Sequence, residues 1–410
     1  MQQQPSIRTA ALPCTADFVI IGAGVVGLTL ALELRGRHPK ARIVVLEKEP
    51  QAGQHSSGRN SGVLHAGFYY SADSLKARFT REGNQRMGEW CAEHGLAVRR
   101  CGKLVVARSA AEHGRLDMLL ERARNNGVPM QELTEDEAKR IEPRVKTCER
   151  ALFSPTTASV DPKEVMAAFA RQAASVGVEI LTATPWLGCD GSTVHTPAGD
   201  IDAGYLVNAG GLQADRIARA YGFSEHYRIL PFKGLYLHGN QAAGELRVHV
   251  YPVPDLEMPF LGVHFTVAVD GHVHIGPTAL PAFWLENYGG LKGFSFTEMA
   301  AIGARELRLF LTDARFRKLG LAELAKMSRR HLVRHAAELV EDIKVEHYDQ
   351  WGAPGIRAQL LDLRTDEMVM DFCTEGDARS LHVLNAVSPA FTGSLPFASY
   401  LADEIARLTS

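Results

Sequence analysis

Residues 17 to 48, DFVIIGAGVVGLTLALELRGRHPKARIVVLEK, restrict the possible folds more than any other part of the chain. The apolar run Phe18 to Ile21 predicts a buried strand, which feeds into Gly22-Ala23-Gly24-Val25-Val26-Gly27 and then an apolar-periodic helix through Leu34. The three glycines do different things. Gly22 permits the tight turn, Gly24 lets backbone approach a pyrophosphate at the helix N-terminus, and Gly27 allows helix and strand to pack closely. A second buried strand, Ile43 to Leu46, ends at Glu47 and Lys48, with Glu47 lying 47 − 27 = 20 positions beyond Gly27. A carboxylate there accepts both ribose hydroxyls and disfavours a 2′-phosphate, so the dinucleotide is FAD or NAD rather than NADP.

With 410 residues the chain is long enough for two or three domains, and a formal net charge of −2 gives no overall field that would favour nucleic acid. The six cysteines form no CxxC pair and no zinc-ligand spacing, which suits a reducing compartment. No signal-peptide segment and no run of transmembrane length is present, so the expectation is a cytoplasmic protein whose membrane contact, if any, is peripheral on the inner face.

After Glu47 comes a loop crowded with small and polar residues, QAGQHSSGRNSGVLHAGFYY. Ser57, Asn60, Ser61 and Gly62 suit backbone and hydroxyl contacts along the rest of a cofactor, while Arg59 and His65 bring chemistry. GRNSGVLHAGFYY and the SLKARFTREGN that follows resemble the L-2-hydroxyglutarate dehydrogenases and oxidases, FAD enzymes of the wider D-amino-acid-oxidase and glycine-oxidase-like superfamily. YPVPD, PFLGVHFT, GPTAL, GIRAQLLD and LHVLNAVSPAFTGSLPFASYLADEIA extend the resemblance to the C-terminus. It implies an α/β fold: a discontinuous Rossmann-like FAD-binding domain of the GR2 type, a mixed or antiparallel substrate sheet and a helical insertion. The expected division is a tail at 1–16, FAD-binding segments 17–98, 150–225 and 350–410, and substrate segments 99–149 and 226–349.

The local signals agree with that plan. Helices are expected over 75–95 and 110–127 around a strand at 103–107, and a capping signal at Thr134 opens a short helix ending near Pro143. A helix from Pro162, a strand at 178–182 and a hairpin through 192–200 lead to a strand ending Asn208-Ala209-Gly210, whose small residues allow close approach by FAD. Antiparallel strands follow from about Tyr227, then a mostly helical segment at 283–340. Thr392, Gly393, Ser394 and Leu395 open the last helix, where their amides would stabilise negative charge on a reduced flavin. The family usually has a smaller residue at the position of Phe391.

Oxidation of a 2-hydroxy acid requires a hydride acceptor, a base for the hydroxyl proton and cations for the carboxylates. FAD is the acceptor. His65 and His264 are the candidate bases, with a narrow preference for His65. Lys233, Arg59 and Arg357 are candidate carboxylate partners and Tyr251 a hydroxyl donor; the family commonly has arginine at position 233, and lysine there lacks the bidentate fork. His272 and His274 form an HxH pair without a third ligand, so no metal is expected.

The reading that results is FAD-dependent oxidation of L-2-hydroxyglutarate, or a close 2-hydroxy acid, to 2-oxoglutarate, with electrons passing to oxygen or a quinone. Its rivals are an amine or amino-acid oxidase on the same scaffold and a non-catalytic FAD-binding assembly factor. Residues 301–340 hold nine Lys and Arg against four Asp and Glu, which is either a solvated helical face or a basic patch for an anionic membrane.

Overall fold

The computed structural model describes residues 14–255 and 262–410. Most of the expected tail, and Pro259 to Leu261 of the PFLGVHFT phrase, lie outside the described residues.

The chain builds its first sheet around the strand Thr15–Ile21, flanked in parallel by Ile43–Leu46 on one side and Gly199–Asn208 on the other. Glu179–Leu181 extends the sheet beyond Ile43–Leu46, Ser380–Asn385 extends it beyond Gly199–Asn208, and Cys373–Gly376 closes that edge antiparallel. Ile43–Leu46 and the carboxyl-terminal halves of Thr15–Ile21 and Gly199–Asn208 are apolar on both faces because both are covered. Ile20, Ile43 and Val45 join a core with the helices Val25–Arg37, Leu75–Glu93, Pro162–Ser175 and Ser394–Thr409, whereas Val19, Ile21, Val44 and Leu46 pack on the other side with Ile201 and Ile217.

A second sheet runs in the order Tyr348–Trp351, Leu237–Gly239, Val273–Gly276, His264–Val267, His249–Pro252, Lys103–Val106, Arg150–Ser154, Gln131–Thr134. All its pairings are antiparallel except that of Lys103–Val106 with His249–Pro252. A third, four-stranded sheet pairs Tyr227–Gly234 with Gly355–Asp362 over their whole length.

Two strands near the expected boundaries pair across them. The strand Arg150–Ser154 lies in the second sheet and not with the first, and Gly355–Asp362 belongs with Tyr227–Gly234. Strand partners far apart in sequence fixed both assignments. The helical segment also begins later than expected, with helices at Phe296–Thr312, Ala314–Ala325 and Arg329–Ala336. Gly289, Gly290 and Gly293 disfavour a helix before Ser295, whose side chain accepts from Glu298 N and caps the first of the three. Thr134 forms the expected capping box with Glu137.

The glycine turn is the tightest point of the first sheet. Gly22 has φ +105°, and a Cβ there would lie 2.5 Å from Ala209 O; a Cβ on Gly27 would lie 1.9 Å from Gly22 O. Gly27→Ala therefore forces backbone apart, at a cost of about 3 kcal/mol or more. The expected result is a purified protein with a lowered urea midpoint and without bound dinucleotide, read by denaturation and by absorbance.

Candidate active site

A cavity of about 530 Å3 opens at the carboxyl ends of the first sheet and runs to the second sheet. Its volume is that of a small-molecule site, and its place is where doubly wound sheets bind ligands. Gly22, Gly24, Val26, Glu47 and Lys48 line one end, Ala209 and Gly210 the adjoining wall, and His65, Tyr251, His264 and Arg357 the other end.

The helix Val25–Arg37 starts without a side-chain cap of its own, because its N-cap is Gly24. Ser57 Oγ instead accepts from Val25 N at 2.9 Å and brings the following loop over the helix end. Glu47 is buried and accepts from Ala23 N and Glu49 N, both at 2.9 Å; a carboxylate has about four lone-pair positions, which leaves capacity for sugar hydroxyls. Lys48 sits between Glu49 and Glu286, and His55 contacts Glu49 at 3.0 Å and Tyr288 Oη at 2.8 Å.

Several expected contacts fall elsewhere. Asn60 lines the cavity, but its side chain donates to Ser56 O and Ser57 O and accepts from Gly62 N, so it shapes the loop. Ser61 lines the wall beside Tyr236. Gly62 is off the cavity wall, and its φ of +69° and a Cβ position 2.1 Å from Val160 O explain the glycine by packing. Gly27 likewise packs against Gly22 rather than lining the space. Thr392 is on the wall, bonding His65 N and Val63 O, whereas Gly393, Ser394 and Leu395 lie behind it.

The cations separate in the same way. Lys233 is off the wall: its neighbours Phe232 and Gly234 line the cavity, and strand alternation sends Lys233 to the other face, where Nζ donates to Asn287 Oδ1 at 3.0 Å. Arg59 reaches the cavity, yet Nε donates to Gln54 O at 2.7 Å, and the guanidinium lies 4.6 Å over the Tyr288 ring. It fastens the loop. Arg357, opposite Phe232 in the third sheet, is the expected cation that remains at the inner end, and burial lowers its pKa while Tyr70 and Tyr236 oppose that shift.

Both candidate bases are at this end. His65 is half-buried because its ring forms part of the cavity wall, and burial, then Lys103 and His264, hold its pKa well below the ordinary value. His264 stacks on Tyr251 with ring centroids 3.7 Å apart, and Nδ1 bonds Gly262 O at 2.8 Å. A carbonyl only accepts, so Nδ1 carries the proton and Nε2 keeps its lone pair. Burial lowers this imidazole to about 3. His272 and His274 part: His272 pairs with Asp270 at the surface, while His274 packs on His238.

Sequence reasoning missed Lys103. It is fully buried, with Nζ 4.8 Å from the Phe68 ring, 4.6 Å from Tyr69 and 4.6 Å from Tyr251, and among the described residues that nitrogen has no hydrogen-bond partner. Its only sequence signal is a lysine at the start of the strand KLVV. Burial pulls it down to about 7, although the ring faces recover part of the lost hydration.

The chain matches the model of the FAD dependent oxidoreductase (DAO) family over residues 17–404. The chain belongs to that family. It is 34% identical to the L-2-hydroxyglutarate dehydrogenase of Escherichia coli K12 over 400 residues, covering 96% of this chain and 93% of that one. It is 36% identical to the human mitochondrial L-2-hydroxyglutarate dehydrogenase over 413 residues, covering 95% and 88%. Among solved structures the fold is similar to an L-α-glycerophosphate oxidase from Mycoplasma pneumoniae with FAD bound, at TM-score 0.76, 21% identity and coverage of 96% and 94%. A glycine oxidase from Geobacillus kaustophilus superposes at TM-score 0.72, 21% identity and coverage of 97% and 96%.

The protein is thus an FAD-dependent oxidoreductase, and the cradle fits that cofactor. A helix N-terminus whose N-cap is a glycine, glycines that admit no Cβ and a buried Glu47 with spare acceptor capacity meet the needs of a pyrophosphate and a ribose. Lys103 gives this site a pH signature. Its folded pKa of about 7 lies below the ordinary 10.5, so between those values the unfolded chain binds more protons and stability rises with pH. Lys103→Met should show its largest stability advantage over the native protein below pH 7, closing towards pH 10.5 in urea denaturation. A difference that did not change with pH would mean that Lys103 does not titrate in this window.

Proposed function

We propose that the protein oxidises L-2-hydroxyglutarate, or a close 2-hydroxy acid, to 2-oxoglutarate, passing electrons to a quinone or oxygen. The observation that carries this reading is the inner end of the cavity, where two neutral imidazoles and a half-buried guanidinium meet in a chain a third identical to L-2-hydroxyglutarate dehydrogenases. FAD, when bound, supplies the hydride acceptor through its N5.

Arg357 binds a substrate carboxylate, and Tyr251 donates to a substrate oxygen. His264 is better placed as the base than His65, because Gly262 O fixes its tautomer and leaves Nε2 as acceptor. Burial, with a smaller contribution from Lys103, keeps both imidazoles neutral; a bound dicarboxylate adds negative charge beside them and raises their pKa towards working pH. Base strength thus depends on having substrate in place.

The first test is anaerobic absorbance of the flavin-loaded protein during additions of L-2-hydroxyglutarate, its D enantiomer, glycine, sarcosine and D-alanine. Bleaching by L-2-hydroxyglutarate alone is the expected result. Bleaching by an amine would make it an amine oxidase, and a flavin that nothing in the panel bleaches would favour the non-catalytic reading. Arg357→Met should lower kcat/KM by about 100-fold, the scale for removing one partner of a buried charged contact.

The helical segment supports delivery of electrons at a membrane surface. Among the described residues, nine of the fourteen exposed large hydrophobic side chains fall between Phe283 and Met327, including Leu291, Phe296, Leu311 and Leu324. Arg315, Lys318, Arg329 and Arg330 are exposed in the same region, a composition suited to an anionic lipid surface that holds a quinone. Among the described residues no helix is long and apolar enough to cross a membrane. The location that fits is the cytoplasmic face, with this segment against the bilayer. Sedimentation with anionic vesicles at low salt should carry the protein down, and Leu311→Glu with Leu324→Glu should release it while dye-linked activity in solution is retained.

A further inference from the structure

The second sheet is covered on both faces over most of its extent; one face is apolar throughout, and the other joins an apolar part around Val105 and Leu152 to a row of polar side chains. Leu104, Val250, Phe265, Ile275 and Leu237, on neighbouring strands, share one apolar core. One position along, on the opposite face, the same strands carry Lys103, His249, Thr266, His274 and His238. Burying so many polar side chains side by side is costly and needs a compensating role.

One member of that row is committed to structure. His249 Nδ1 accepts from Val267 N at 3.1 Å and Nε2 faces Ser159 Oγ at 3.3 Å, while Ser159 Oγ donates to Val267 O at 2.6 Å. Its neighbours towards the sheet edge differ. Thr266 is fully buried and its Oγ1 has no partner of hydrogen-bond geometry among the described residues; neither has the buried His274 Nδ1. Thr266 faces the Tyr251 hydroxyl at the cavity wall. It stands opposite His274 in register, and the His274 ring meets the His238 ring edge-on at 4.8 Å. His238 is half-exposed, and Gly352 leaves it room, since a Cβ there would come within 2.3 Å of its Nε2.

We propose that Tyr251, Thr266, His274 and His238, bridged by water at the unpartnered Thr266 and His274 atoms, form a proton route from the inner end of the cavity to solvent. Strands about 4.8 Å apart place successive members one water apart, and a buried water needs polar partners such as these orphaned atoms. The route rests on the alcohol-oxidation reading above. In that reaction the C2 hydrogen leaves with its electron pair to the flavin, and the hydroxyl proton goes to an imidazole, which returns it through water in the cavity to the Tyr251 hydroxyl on the same wall. That proton must leave, or the next substrate meets a charged histidine beside Lys103. Each member of the route accepts one proton and passes one on, with no change in its own oxidation state.

The test mixes the flavin-loaded protein anaerobically with L-2-hydroxyglutarate and a pH-indicator dye, following bleaching and proton release together. In the native protein both should occur together. In His274→Phe and His238→Phe the first bleaching should stay within about twofold of native, while proton release slows by at least about tenfold, and added imidazole should restore it. Proton release keeping pace with bleaching in both variants overturns the route. Should His274→Phe fail to retain flavin, the half-exposed His238→Phe decides. If L-2-hydroxyglutarate does not bleach the native flavin, the substrate reading fails, and a crystal structure tests the row separately. Ordered water within hydrogen-bond distance of Thr266 Oγ1 and His274 Nδ1 supports the route, and a dry row overturns it.

Discussion

Everything at this site hangs on one close approach of backbone to backbone. Gly27 touches Gly22 O, and Gly22 in turn touches Ala209 O, so the first helix, the first strand and the strand Gly199–Asn208 meet with no side chain between them. That contact opens the cavity at the carboxyl ends of the strands and brings the glycine-capped helix N-terminus to it. The loop after Glu47 then completes one wall, held there by Ser57 on Val25 N and by Asn60 folding back on its own backbone.

The first sheet was legible because its signals are local. Phe18 to Glu47 contains strand, turn, helix, strand and acid in consecutive order, and each implies the next. The other sheets depend on partners far along the chain: Arg150–Ser154 pairs with Lys103–Val106 and Gly355–Asp362 with Tyr227–Gly234, pairings that no local signal carries. Within the site, residue type was a weaker guide than orientation. Lys233 and Arg357 are both cations in strands of one sheet, but alternation sends only Arg357 towards the cavity. That alternation could have been applied to Phe232, Lys233 and Gly234 from the sequence. The cage around Lys103 could not, because Phe68, Tyr69 and Tyr251 converge on it only after folding.

Burial disfavours positive charge at the inner end of the cavity and just behind its wall. Arg357 and Lys103 are both depressed by burial, and both imidazoles are held neutral. Such a site is costly to the resting protein and favourable to an incoming anion, since one charge offsets several unfavourable ones at once. Selectivity for a dicarboxylate then begins with electrostatics, before any contact with the second carboxylate forms.

The one parallel pairing in the second sheet joins Lys103–Val106 to His249–Pro252 across more than a hundred intervening residues. Lys103 therefore leaves the ribosome long before Tyr251 exists to complete its cage. Until then its ammonium stays hydrated and the cavity has no inner wall. Contacts of such separation form slowly and close a large loop, so the reactive end of the site is assembled late, after the dinucleotide cradle's first strand, helix and acid have long been made.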